Sequence, residues 1–360
     1  MAFGKKWLRK IRSRVAQILY NKKAKENAIL PSNPQRILII GWEYKIGDYI
    51  VSAFFFRELK RIFPGVEIIL LASGSHNLPS YHNSIDRVIY CNRRNMLQFF
   101  AVKKKVKSIG AVDICIAITT FSPQEVPIIS VANPQYTYAI AAEEREQFNI
   151  YDYCIPRKGH HSQFFMTVLE KFKLGKKVVF CDKYAIEVPN KYIIPFKALI
   201  RGIDPKKIVV INPFGSCRHF SFEVLMEIIE VLKERLPQHK IVILAPLDTY
   251  EKLLAYDLGE NILIPHYITG IEHSLAIIKN CELLISPDTF AVHAASNYGI
   301  SQIAVYYSSS AAFDVWHPNS DKAQVTFVQN NVNNVDIEEL ESMITEYAKL
   351  ASIAIEKSIE

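Results

Sequence analysis

The sequence predicts an α/β protein made of two doubly wound units, and three observations carry that prediction. At 360 residues the chain is too long for one ordinary core and suits two units of roughly 150 residues each. Short apolar runs that read as strands alternate with longer runs of helical period, and the strand runs lack the apolar–polar alternation of a half-exposed sheet. Strands buried on both faces, with helices between them, argue for parallel sheets. The rhythm also lapses once and restarts, which marks a boundary.

The first unit opens with strand Ile37–Ile40, a helix from Tyr49 to Phe63 and strand Val66–Leu71. Further strands are expected at Arg87–Tyr90, Val112–Ile118 and Ile128–Val131. From Glu143 to Asp204 the rhythm is lost; an acidic cluster, several prolines and a helix at His161–Phe172 read as a connector. Strands are then expected at Ile208–Ile211, Lys240–Leu244, Asn261–Ile264, Glu282–Ser286 and Gln302–Tyr306. The helices between them are Phe222–Leu236, Thr249–Leu258, Ile271–Lys279 and Ala291–Tyr298. A final helix, Ile337–Ala354, is expected to pack back across the first domain. The expected division is an arm at 1–30, a first domain with connector at 31–190, a second domain at 191–336 and a C-terminal helix at 337–360.

The net charge of +7 is concentrated at one end. Residues 1–25 hold nine Lys or Arg and no acid, leaving 34 basic against 36 acidic residues in the rest. Within this arm Phe3, Trp7, Ile11, Val15, Ile18 and Leu19 recur at steps of three and four, the pattern of an amphipathic helix lying in a membrane interface. A basic tail docked on the protein's own surface, or disordered, is the competing reading. The near-neutral remainder offers no recognition module for nucleic acid. Lys103, Lys104, Lys105 and Lys107, with Arg93 and Arg94, make a second basic cluster, read first as a solvated helix face and otherwise as the acceptor side of a site. The six scattered cysteines have no C-x-x-C spacing, and no run of about 18 apolar residues occurs, so a reduced cytoplasmic protein without a membrane span or signal peptide is expected.

Three loops carry candidate chemistry. In Gly41-Trp-Glu-Tyr-Lys-Ile-Gly-Asp48 a strand, a glycine-bearing loop and a helix start coincide, the usual place for a phosphate. Glu43 and Asp48 make that loop anionic and unsuited to a diphosphate. Asp48 instead reads as a helix N-cap or as a base for a hydroxyl proton, with Lys45 and Gly47 beside it. In Ile211-Asn-Pro-Phe-Gly-Ser-Cys-Arg-His-Phe220, Gly215 allows close backbone approach, Ser216 offers a hydroxyl and Arg218 a planar cation suited to phosphate oxygens. In Ile285-Ser-Pro-Asp-Thr-Phe-Ala-Val-His293, Asp288 and Thr289 begin a helix, read either as a plain N-cap followed by a solvated histidine or as a helix start whose free N–H groups hold a diphosphate.

In order and spacing these three loops resemble glycosyltransferase family 9, the ADP-heptose:lipopolysaccharide heptosyltransferases, across roughly residues 36–310. The resemblance implies a GT-B fold, two Rossmann-like domains facing a central cleft, with the sugar acceptor on the first domain and a nucleotide-sugar donor on the second. It implies a catalytic aspartate at Asp48 and donor contacts at Gly215, Ser216, Arg218, Asp288, Thr289, Phe290 and His293. Phe290 departs from the glycine usual after the Asp–Thr pair, and Phe220 stands where Trp is usual, so the donor need not be ADP-heptose itself. The expected reaction is an inverting glycosyl transfer with no cofactor beyond the donor; no Asp-x-Asp triplet is present to hold a metal with phosphate. The implied acceptor is a lipid-linked or core oligosaccharide of lipopolysaccharide type, met at the cytoplasmic face of the inner membrane.

A nucleotide-sugar epimerase and a noncatalytic sugar-nucleotide or glycan binder, its donor site closed by Phe290, are the alternatives. A dehydrogenase ranks lower, since neither unit has G-x-G-x-x-G after its first strand. His160 and His161 carry no assigned role.

Overall fold

Ile37, Leu38, Ile39 and Ile40 are wholly buried, as a strand covered on both faces requires. The computed structural model describes residues 2–20, 29–42, 44–73, 84–91, 96–173, 178–184, 186–215, 218–245, 247–308 and 310–356. Glu43, Arg93, Arg94, Ser216 and the last residues of the basic arm lie outside the described residues, as do the side chains of Phe3 and Trp7. The chain divides into two compact units, Met1–Tyr184 and Ala185–Glu360.

The first unit runs α1 (Ala2–Tyr20), β1 (Arg36–Gly41), α2 (Ile46–Ile62), β2 (Glu67–Ser73), β3 (Arg87–Cys91), α3 (Met96–Ser108), β4 (Ile114–Ala117), α4 (Glu125–Ala132), β5 (Tyr136–Ile140), α5 (Glu143–Glu146), β6 (Tyr153–Ile155) and α6 (Ser162–Phe172). Its six strands lie in the order β3-β2-β1-β4-β5-β6. All pairs are parallel; Ile37 stands opposite Ile68 on one side and Ile114 on the other. The chain winds outward from β1 to β3 and then crosses back to β4, so the loops leaving β1 and β4 diverge. Such a switch point leaves a crevice at the carboxyl ends of its strands.

The second unit runs α7 (Asn190–Leu199), β7 (Ile208–Ile211), α8 (Phe222–Arg235), β8 (Lys240–Ile243), α9 (Leu247–Leu254), β9 (Ile262–Leu263), α10 (Ile271–Lys279), β10 (Leu283–Pro287), α11 (Phe290–Tyr298), β11 (Ser301–Tyr307), α12 (Ser310–Trp316), β12 (Ala323–Val328) and α13 (Ile337–Glu356). Its order, β12-β11-β10-β7-β8-β9, repeats that of the first unit, with the switch point between β7 and β10. Leu340, Ile344 and Tyr347 of α13 join the core of this unit beside Ile228 and Leu232 of α8, so the last helix is seated here, whereas the sequence suggested a return across the first domain.

Other parts of the fold also differ from the sequence reading. Ile128–Val131, expected as a strand, lies inside α4; Pro127 is tolerated there because the first turn of a helix has unpaired N–H groups anyway, and Asn133 ends the helix at φ 47°. The strand at that place in the order is β5. The expected connector supplies working parts: β6 completes the first sheet, α6 packs on α2, and α7 packs on α10. Helix α2 starts at Ile46, three residues before the expected Tyr49.

Beneath the loop after β4 lies a wholly buried ion pair. Arg145 Nε donates to Glu125 Oε1 at 2.8 Å and its Nη2 to Oε2 at 3.1 Å. The remaining guanidinium donors hold Ile140 O at 2.6 Å and Thr119 O at 2.9 Å, and Tyr151 Oη donates to Glu125 Oε1 at 2.5 Å. One arginine thereby ties the ends of β4 and β5 together, and every charge in the cluster is answered.

Candidate functional site

In the first unit the loop Gly41–Asp48 leaves β1 at the switch point. Tyr44 N donates to Gly41 O at 3.2 Å, turning the chain, and the Tyr44 side chain packs so closely that a Cβ on Gly41 would sit 2.9 Å from Tyr44 Cβ. The buried Tyr44 hydroxyl pairs with Ser52, whose Oγ donates to Asp48 O at 2.8 Å. The loop is thus pinned to the first turn of α2. Asp48 is the third residue of that helix rather than its N-cap, and its Oδ2 accepts the Lys45 N–H at 2.9 Å.

Asp48 keeps partial exposure, yet enough protein surrounds its carboxyl that burial raises the pKa from 3.8 to about 6. The Lys45 N–H, the Lys45 charge and the Arg157 charge oppose that rise without cancelling it. Arg157 follows β6, and its Nη2 donates to Nδ1 of the buried His161 at 2.9 Å. Since guanidinium only donates, Nδ1 is the acceptor and a neutral His161 carries its proton on Nε2. His160 Nδ1 instead pairs with Ser162 at the start of α6, a structural position. Lys45 is exposed and Gly47 lies in the first turn beside Asp48.

In the second unit both candidate loops border one switch point, the first leaving β7 and the second leaving β10. Asn212, buried, faces three acceptors with its Nδ2: Phe214 O at 3.0 Å, Ser286 Oγ at 2.9 Å and Thr289 Oγ1 at 3.0 Å. Thr289 caps α11 by accepting from Ala291 N at 3.3 Å. A Cβ on Gly215 would lie 2.5 Å from Thr289 Cγ2 and 2.8 Å from the Arg218 carbonyl, so only glycine lets these two loops touch. Arg218 Nη1 pairs with Asp288 Oδ2 at 2.6 Å, and its guanidinium lies 5.1 Å over the Tyr307 ring. Burial raises the Asp288 pKa, against the lowering by Arg218.

Phe290 is the first residue of α11 and is partly exposed; His293, one turn on, is buried with its ring 6.0 Å from Trp316. Ser216 lies outside the described residues. Arg157 and Tyr307 join these loops without having been singled out from sequence, and Asn212, part of the quoted motif, was given no role of its own. Only Asn212 left a signal there, as a polar residue directly after a buried strand. Among the described residues no cluster of three His, Cys, Asp or Glu suits a metal ion.

No family model matches this sequence. Over 356 residues, spanning 94% of each chain, it is 24% identical to an Escherichia coli (strain K12) protein provisionally named lipopolysaccharide heptosyltransferase 4. Among solved structures, a glycosyl transferase family 9 protein from Veillonella parvula superposes with a TM-score of 0.70 at 16% identity, over 91% of this chain and 99% of that one. The fold is GT-B, and the chain resembles glycosyltransferase family 9. E. coli heptosyltransferase WaaC, solved with ADP, matches the GT-B chain with a TM-score of 0.65 at 16% identity, over 86% of it and 99% of WaaC. The resemblance read from the three loops is borne out by these relatives, which match both GT-B units.

Proposed function

We propose that the protein is an inverting, metal-independent glycosyltransferase, moving heptose or a related sugar from a nucleotide-sugar donor, ADP-heptose or a close analogue, to an acceptor of lipopolysaccharide or lipooligosaccharide type. The observation that carries this reading is the division of charge between the switch points. A carboxylate with its pKa raised to about 6 stands at one, and Arg218, paired with Asp288, stands with helix-start N–H groups at the other. The names of the relatives supply the sugar and acceptor class.

In the proposed step Asp48 takes the proton of an acceptor hydroxyl while that oxygen forms the new bond to the anomeric carbon. The bond from that carbon to the diphosphate breaks, and the leaving nucleoside diphosphate carries away the electron pair. Arg218 and the N–H groups at the start of α11 meet its charge, with Gly215, Ser216, Asp288, Thr289, Phe290 and His293 assigned to the donor side. Lys45 and Gly47 are assigned to the acceptor side. Residues 1–25 are assigned to the cytoplasmic face of the inner membrane.

The test is a thermal-shift panel of nucleoside diphosphates and their sugars, followed by product analysis with and without an acceptor glycan. A donor that raises the melting point and is turned over only with acceptor supports transfer. Conversion of donor alone would identify an epimerase, and binding without any turnover would identify a noncatalytic binder.

Arg218→Ala should weaken nucleoside diphosphate binding roughly ten- to hundredfold by calorimetry, the usual worth of a hydrogen bond to a charged group. Unchanged affinity would place the phosphates elsewhere. Gly215→Ala should also lower donor affinity, because its methyl group forces the Thr289 side chain and the Arg218 backbone apart. Full donor affinity in that variant would show that the contact between the two loops is dispensable.

A further inference from the structure

Helix α1 meets the first unit with one face and leaves another bare. Ala16, 5% exposed, enters the core together with residues of α3 and α4; Tyr20 Oη accepts from Lys103 Nζ at 3.3 Å, and Gln17 Nε2 donates to Gln147 O at 3.1 Å. The apolar residues Ile11, Val15, Ile18 and Leu19 are not the docking face. At 100° per residue they line a separate stripe, with Ile18 82% and Leu19 64% exposed and the exposed Arg12 and Arg14 at its margins.

Helix α3 behaves alike. It buries Phe99, Val102 and Val106 and exposes Leu97 at 82% and Phe100 at 57%. Lys104, Lys105 and Lys107 share its outward side. Because Ala16 and the buried residues of α3 belong to one core cluster, the two helices cover the same face of the first sheet, joined by the Lys103–Tyr20 contact. Neither helix contains an acid. A nucleic acid would use the cations but not Ile18 or Leu97, and an apolar protein groove would not need cations on both helices. A bilayer with anionic headgroups uses both sets at once.

We infer that the outer sides of α1 and α3 form one docking surface for an anionic lipid bilayer. This rests on the membrane role proposed above for residues 1–25 and extends it to α3. The Lys cluster at 103–107 is then a lipid contact rather than a plain solvated face, and the first unit itself, not an appended arm alone, is held at the membrane.

The experiment sediments full-length protein with phosphatidylcholine vesicles, with and without phosphatidylglycerol, at low and high salt. Wild type should sediment with the anionic vesicles at low salt and be released by salt. Lys104→Glu with Lys107→Glu should cut binding roughly thirtyfold or more, from about fivefold per cation. Leu97→Glu with Phe100→Glu should also cut it, as should Ile18→Glu with Leu19→Glu. All these side chains are exposed, so melting points should match wild type. If the α3 pairs bind like wild type while the α1 pair does not, the extension to α3 is wrong and the arm reading stands. If wild type ignores anionic vesicles, both fail. If wild type self-associates without vesicles and the α3 pairs make it monomeric, the surface joins copies of the chain and the inference is overturned.

Discussion

Asp48→Asn should lower glycosyl transfer by roughly a hundred- to ten-thousandfold while leaving donor affinity unchanged, because an amide cannot take the acceptor's proton. The substitution keeps an oxygen for the Lys45 N–H, so α2 should start where it does now. It also removes a charge that the fold disfavours. Burial holds the Asp48 pKa above its unfolded value, so the charged form costs stability, a cost absent below about pH 4 and complete above about pH 6. From the shift that cost is at most about 3 kcal/mol, reduced by the residue's partial exposure. At pH 8 the variant should therefore melt no lower than wild type while losing its activity. In wild type, kcat/KM should rise as pH increases through about 6 and level off, and this limb should vanish in the variant. Transfer within about twofold of wild type, with chemistry limiting, would remove Asp48 from the base role.

Arg145→Met should destabilise the first unit by about 3–5 kcal/mol, the usual cost of stranding one member of a buried ion pair. A drop in melting temperature of roughly 6–20 °C should follow for a unit of this size. The loss has named parts: Glu125 loses both guanidinium donors and retains the Tyr151 hydroxyl and the Ser122 N–H, and Thr119 O and Ile140 O lose their donors. Adding Glu125→Leu to Arg145→Met should recover part of the loss, because the stranded charge is then gone. Circular dichroism melts of the single and double variants check this. A single variant as stable as wild type would show that the ends of β4 and β5 are held by strand pairing alone.

Much of the fold was legible because both sheets are parallel and buried, so strands such as Ile37–Ile40 and Ile208–Ile211 read as unbroken apolar runs. The failures have local causes. Ile128, Ile129 and Val131 are β-branched, and α4 is buried or half-buried along its whole length, which leaves no exposed polar face to reveal its helical period. Gly47 weakens the start of α2 in sequence, yet Asp48 and Ser52 secure it through the Lys45 N–H and the Tyr44 hydroxyl of the preceding loop. In the candidate site, the sequence located the loops that follow their own strands. Arg157 was not legible, because it belongs to a stretch without rhythm and meets Asp48 only through the order of the sheet. The arm's apolar stripe was legible as a period, but nothing in that period shows that the small Ala16, on another face, makes the dock.

The seat of α1 also fixes an order of events during synthesis. Gln17 is bonded to Gln147, 130 positions further along the chain, and Ala16 packs among residues of α3 and α4. At the usual 5–20 residues per second, roughly 6–26 seconds separate the emergence of the helix from that of its last contact. A segment made early is thus among the last of its unit to be seated. For that interval a basic helix with a bare apolar stripe trails from a nascent chain, available to whatever surface lies nearby.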